Sequence, residues 1–397
     1  MGFGRGGEKV KNRILSLLLA AVLALSVGLV GCAGEGEVPP VLIIGAVYGG
    51  AINDFGYNQA LHESIAKIAD NIEGVKIIET ESVATGALAK AAMQLMINQN
   101  ATLIFSTAYD FYDATKELAD ANPTVAFEWC GGGKNATANL GTFFGKPPDG
   151  WYLMGMAAAL MTQNLTNPTF GFVGAFPFLG WTRTFINAFT LGAQSVYPPV
   201  VPNATSPVEV VVSYTFSWSD LTKQTQVTNA LIDQGADVIT MHVDAPGTVI
   251  QAAEARGVYS IGYQSVEAKK FAPLNWICGI GFTFGELLTG VAQDVIDGTY
   301  VGANKYWGWD EGAMSLAEWG PDVPQEVKDA VLAAKAELQA GTLKVFEGPI
   351  YDTTGEIAAI PSWDPYVWLN EGVEIPEYML GWADDFYVWG VTGGLSE

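Results

Sequence analysis

The stretch Thr169–Val196, TFGFVGAFPFLGWTRTFINAFTLGAQSV, decides the fold because it happens twice. An apolar run ends in small residues, a polar and aromatic loop follows, and helical spacing then takes over. The same order of events opens the folded part of the chain at Ile43–Ile65, IIGAVYGGAINDFGYNQALHESI. After each opening, strand and helix patterns alternate. VLIIGAVY, VKIIETESV, ATLIFSTA and TVAFEW read as strands, with helices over Gln59–Asn71, Leu88–Gln99 and Phe111–Asn122 between them. In the second round VEVVVSYTF, ADVITMHV and VYSIGYQS are strands, with helices over Lys223–Gln234 and Val249–Arg256. Repeated βαβ units of this length imply parallel sheets with helices on both faces. The expected fold class is therefore α/β, with two doubly wound lobes. NLGTFFGKPPDG and NWICGIGFTFGE fall where the chain is expected to cross between them. The implied lobes are 41–144 with 279–308, and 145–278 with 309–397.

The first 31 residues carry a different signal. Arg5, Lys9, Lys11 and Arg13 precede an apolar run over Ile14–Val30, and the run closes with Leu29-Val30-Gly31-Cys32. A basic start, a short apolar core and small residues at a cleavage point mark an export signal over 1–31. A cysteine directly after Leu-Val-Gly resembles the lipobox of secreted lipoproteins, in which that cysteine is lipidated. Residues 32–40 then read as a flexible tether. No later apolar run approaches the length of a membrane span, so the expected attachment is the lipid alone.

The whole chain carries a formal charge of −23, and removing four basic residues and Glu8 with the leader moves it to −26. Such a surface repels nucleic acid, which is bound through basic patches. Only His62 and His242 are present, without CxxC or HExxH spacing, so a zinc site or a Ser-His-Asp triad is poorly supplied. Cys130 and Cys278 stand at apparent strand ends, where a disulfide and two buried thiols are both open. The opening loop GAVYGGAINDFG lacks GxGxxG spacing and the Gly-Lys-Ser/Thr of a P-loop, which disfavours a phosphate.

In doubly wound sheets, ligands sit beyond the carboxyl ends of the strands. Those loops supply Asp54, Tyr57 and Asn58, then Tyr109 and Asp110, Trp129, Phe176 and Trp181, Trp218, His242 and Asp244, and Gln264. Rings interleaved with amides and carboxylates suit a flat, polar-edged, uncharged ligand. Tyr57 and Trp218 are read as pocket rings, Trp129 and Trp181 as packing. Asp54 is either a helix cap or a contact, and Asp110 a cap. His242 reads as a satisfied strand-end histidine, and Asp244 as turn former or ligand acceptor.

Collectively, the Cys32 lipobox, NDFGYNQA, GFVGAFPF with RTFINAFTLGAQSVYP, Leu231–Ser265 and VLAAKAELQAGTLKVFEGPI resemble the basic membrane protein family of ABC-transporter substrate-binding lipoproteins. The resemblance implies a type I periplasmic-binding-protein fold holding a purine base or nucleoside between its lobes. It also implies a monomer that docks on an ABC permease, without catalysis, metal or cofactor. On that pattern Tyr57 and Trp218 sandwich the base, while Asn58, Asp244 and Gln264 fix its edge or sugar. Relatives that bind nucleosides usually carry aspartate where Gly262-Tyr263-Gln264-Ser265 has glutamine, which points to a free base rather than its riboside. Lys146–Leu153, KPPDGWYL, is also less basic than the stretch often found there.

Overall fold

A parallel strand covered by helices on both faces reads as an unbroken apolar run, and Val238–His242 (VITMH) is buried at all five positions. Strands of this kind build two sheets in the computed structural model, which describes residues 39–83, 86–132, 134–197, 208–360, 367–370, 372–375 and 386–394. Cys32 and the leader lie outside the described residues. Among those that are described, no helix is long and apolar enough to cross a membrane.

The first sheet contains β1 (Leu42–Val47), β2 (Val75–Thr80), β3 (Leu103–Ser106), β4 (Ala126–Cys130), β5 (Leu140–Gly145) and β11 (Asn304–Trp307). Their order across the sheet is β11-β5-β4-β3-β1-β2, parallel throughout. Helices α1 (Tyr57–Asn71), α2 (Ala87–Asn98) and α3 (Tyr112–Ala121) connect its early strands. The second sheet contains β6 (Thr169–Gly174), β7 (Glu209–Tyr214), β8 (Val238–His242), β9 (Tyr259–Gln264), β10 (Trp276–Phe282), β12 (Met314–Leu316) and β15 (Val391–Gly393). Its order is β12-β10-β9-β8-β6-β7-β15, with only β12 antiparallel. Helices α4 (Pro147–Met161), α5 (Gly180–Val196), α6 (Leu221–Asp233), α7 (Pro246–Ala255), α8 (Gly285–Asp297) and α9 (Gln325–Gln339) follow in the chain, and β13 (Ala359–Ile360) pairs β14 (Val367–Trp368) apart from both sheets.

Three crossings join the sheets, at 145–147, 282–285 and 307–314. Half or more of each stretch read as a crossover is itself strand, β5 and β10, and the chain crosses at their ends. Residues 279–282, placed in the first lobe by the sequence, belong to the second sheet: Ile280, Gly281 and Phe282 pair with Leu316, Ser315 and Met314. Gly279 and Gly281 lie in this strand. They occupy a strand interior where neighbours leave no room: a Cβ on Gly281 would meet Val266 Cγ1 at 2.7 Å. Close approach of this kind is what glycine inside a strand usually marks.

The returning strand β11 brings a cation to a buried carboxylate on β4. Lys305 Nζ lies 2.5 Å from Glu128 Oε1 on β4, and the Tyr300 hydroxyl donates to the same oxygen at 2.9 Å. Burial pushes the Glu128 pKa up, and Lys305 pulls it back.

Candidate functional site

The site is assembled at the carboxyl ends of both sets of strands, beginning with the loop after β1. Asp54 organises that loop. Its Oδ1 accepts from the backbone of Gly56 and Gln59, and its Oδ2 from the backbone and side chain of Asn58. Asn58 Oδ1 in turn accepts from Gly50 N at 3.0 Å. Asp54 therefore satisfies orphan amides at the start of α1. The Tyr57 hydroxyl donates to Thr107 O at 2.7 Å, so its ring is held while its polar end is spent.

The loops of the second sheet are built differently. Asp220 caps α6 by accepting from Lys223 N, and Thr215 hydrogen-bonds the Ser217 carbonyl, shaping the turn that holds Trp218. Trp218 meets Phe176 and His242 edge-on, with ring centroids 5.6 and 5.3 Å apart. His242 Nδ1 lies 2.9 Å from Thr182 Oγ1, and burial holds its pKa down at about 3, so the imidazole is neutral. Asp244 is half-buried, and its pKa is raised well above the carboxylate range. Burial is the main cause and the charge of Asp54 adds to it, while a hydrogen bond from the Gln264 side chain works against both. Gln264 is buried with φ +76°, and its Oε1 has no partner; the Tyr263 hydroxyl is likewise unpartnered. Unpaired buried polar atoms are costly, and a ligand is one way to satisfy them.

These elements enclose a cavity of about 980 Å3, at the upper end of the range for small-ligand sites. All seven candidate contacts, Asp54, Tyr57, Asn58, Tyr109, Trp218, Asp244 and Gln264, line it. Among the described residues, no lysine or arginine lines it. The two lobes touch beside the cavity: a Cβ on Gly56 would lie 2.0 Å from Asp244 O and 2.5 Å from Pro246 Cδ. Only glycine permits that approach.

Trp129 is fully buried and donates from Nε1 to Ala108 O, a packing residue as its sequence context implied. Trp181 departs from the packing reading, because it lines the cavity while stacking on Tyr306 at 5.9 Å. Asp110 caps nothing: neither the 3-10 turn Tyr109–Phe111 nor α3 has a side-chain cap, and Asp110 lines the cavity. Tyr263, beside Gln264 at the same strand end, lines it too, and Phe144 and Cys130 also line it but went unnoticed, since each looks like strand interior. Cys130 and Cys278 are free and buried, and burial pushes both thiols up to about 12.

Two parallel-sheet lobes, three crossings and a cavity between opposed strand ends define a solute-binding protein of the type I periplasmic fold. The chain belongs to the Bmp family, described as ABC transporter substrate-binding protein PnrA-like, whose model matches residues 41–345. A purine-binding protein of Brucella abortus is 31% identical over 385 residues, covering 96% of this chain and all of that one. A Haloferax volcanii protein, named for glucose binding in an ABC transporter, is 30% identical over 329 residues, 83% of this chain and 79% of its own. The fold is shared with an ABC transporter solute-binding protein of Aeropyrum pernix, with a TM-score of 0.63 at 15% identity over 76% of this chain and 92% of that one.

Proposed function

We propose that the protein is an extracytoplasmic receptor, tethered by lipid at Cys32, that hands a purine base or nucleoside to an ABC permease. One observation carries the reading: a cavity walled by rings from both lobes, without a lysine or arginine among its described lining residues, with an unpaired acceptor at Gln264 Oε1 beside the half-buried carboxyl of Asp244. A neutral heterocycle with ring N–H donors meets those groups, and the rings of Tyr57 and Trp218 grip its faces from opposite lobes. Closure of the lobes 41–144 with 283–308 and 145–282 with 309–397 is then a population shift driven by ligand contacts made only when shut. The purine-binding relative in Brucella supports the class of ligand.

The protein acts as a monomer and leaves its ligand unaltered. The cavity's one imidazole is neutral and engaged by Thr182, and the Cys130 thiol is far from its thiolate form. A sugar is the second reading, favoured by the glucose-named relative and by the affinity of aromatic faces for sugar rings. Calorimetry with adenine, guanine, hypoxanthine, their ribosides and glucose decides between them. The expected result is heat with purines, the base at least as tight as the riboside. Heat with glucose alone would replace the purine reading. Labelling with a radioactive fatty acid is expected to mark the full chain and not its Cys32→Ser variant.

A further inference from the structure

Just outside the cavity, three side chains that do not line it join the lobes. Phe55, in the first-lobe loop, has φ +56°, a left-handed conformation unusual for a bulky residue. Its backbone is pinned there, because Phe55 N donates to Gln59 Oε1 at 3.1 Å. Across the gap, the Lys270 ammonium sits 3.3 Å from the centroid of the Phe55 ring, and Phe271 meets that ring edge-on at 5.0 Å. Both partners come from the short 3-10 helix Val266–Phe271 that follows β9 in the second lobe. Phe271 also packs on the start of α7, where a Cβ on Gly247 would meet its ring at 2.6 Å. Gly247 stands three residues beyond Asp244, whose carbonyl abuts Gly56. The contact thus fastens the turn carrying Asp244 to the loop carrying Tyr57.

We infer that Phe55, Lys270 and Phe271 form a clasp that holds the lobes shut independently of ligand, so that affinity is set partly by residues that never touch the ligand. The inference rests on the clamshell reading above. A protein that is more often closed before binding loses less free energy on binding, and its ligand escapes more slowly. Because the clasp has no ligand contact, it acts equally on every solute the cavity accepts.

The test uses the mature chain with spin labels at Leu95→Cys and Leu274→Cys, exposed positions on the two lobes. The native Cys130 and Cys278 are buried. Pulsed electron resonance without ligand reads the ratio of closed to open protein. Lys270→Met, at an exposed position, should lower that ratio two- to fivefold, the equivalent of about 0.5–1 kcal/mol for an exposed cation–π contact. Phe55→Leu should lower it further. Adenine should dissociate faster by the same factors while its association rate is unchanged. An unchanged ratio in both variants overturns the clasp, as does a loss of affinity that differs between adenine and adenosine. The ratio is read without ligand, so failure of purine binding would leave this result standing.

Discussion

The two lobes contribute to the cavity in opposite ways. In the first, the polar side chains of the loop after β1 are used up at home: Asp54 on the amides of α1, Asn58 on Gly50, the Tyr57 hydroxyl on Thr107. In the second, Gln264 Oε1 and the Tyr263 hydroxyl are held without partners, and Asp244 is desolvated beside them. A polar residue at a site is therefore not automatically a reader of the ligand. The first lobe supplies shape, a ring face and a glycine that lets the second lobe come close. The second lobe supplies the groups with bonding capacity left over.

Substitutions can break this contrast, and the largest effect is expected where shape is the contribution. Gly56→Ala places a methyl 2.0 Å from Asp244 O across the gap. Overpacking of this kind costs about 1–3 kcal/mol, so closure and affinity should fall roughly five- to 150-fold. Calorimetry against adenine measures it, with the melting temperature of the free protein as control. Binding at wild-type strength would mean the lobes need not meet at this point.

The next effect concerns acid. His242 has a pKa near 3 in the folded protein against about 6.5 unfolded. As pH falls below about 6.5 the unfolded chain takes up a proton that the folded chain refuses, so stability present above that pH is lost progressively towards pH 3. The slope is about 1.4 kcal/mol per pH unit, or about 2 kcal/mol by pH 5. Asp244 works in the other direction, because its raised pKa makes its desolvation matter less as pH falls. The difference between wild type and His242→Phe in urea melts from pH 7 to 5 isolates the histidine. Parallel curves would show that His242 is not desolvated.

Trp218→Ala should weaken binding by at least roughly tenfold, since stacking adds about 0.5–1.5 kcal/mol beyond the burial that is lost with it. The sharpest comparison has the smallest effects. Gln264→Leu removes an acceptor that only a ligand can satisfy, and should cost about 0.5–1.5 kcal/mol, two- to tenfold in affinity. Tyr57→Phe removes a hydroxyl already spent on Thr107 and should change affinity less than about twofold. Equal losses in both variants would erase the distinction between the lobes.

Much of this was legible in the sequence, for identifiable reasons. Parallel strands such as β1 are apolar throughout, and the candidate contacts lie at or just beyond the carboxyl ends of such strands. Reading failed where neighbours distant in the chain decide the outcome. Ile280, Gly281 and Phe282 read as part of the first lobe until their pairing with Leu316, Ser315 and Met314 is seen. Trp181 belongs to the cavity because Tyr306 and Phe144, from the other sheet, bring it there. Asp54 and Asn58 carry the right chemistry for a ligand, and nothing local reveals that the loop consumes it. The left-handed Gln264 is least readable of all, since glycine, asparagine and aspartate are the usual occupants of that conformation.

The ion pair between Glu128 and Lys305 has a consequence in time rather than in space. Glu128 is made early, its partner 177 residues later, after all of β6 to β10 has been synthesised. A nascent chain that has not reached residue 305 has an unfinished first sheet, lacking β11 along β5 and with a carboxylate whose burial would have no cation to offset it. Leaving such a group unpaired costs about 3–5 kcal/mol. The second sheet waits longer still, for β15 at Val391–Gly393. Threading the chain back and forth three times thus makes completion of both lobes a late event, and a growing or partly translocated chain is kept from locking either half prematurely.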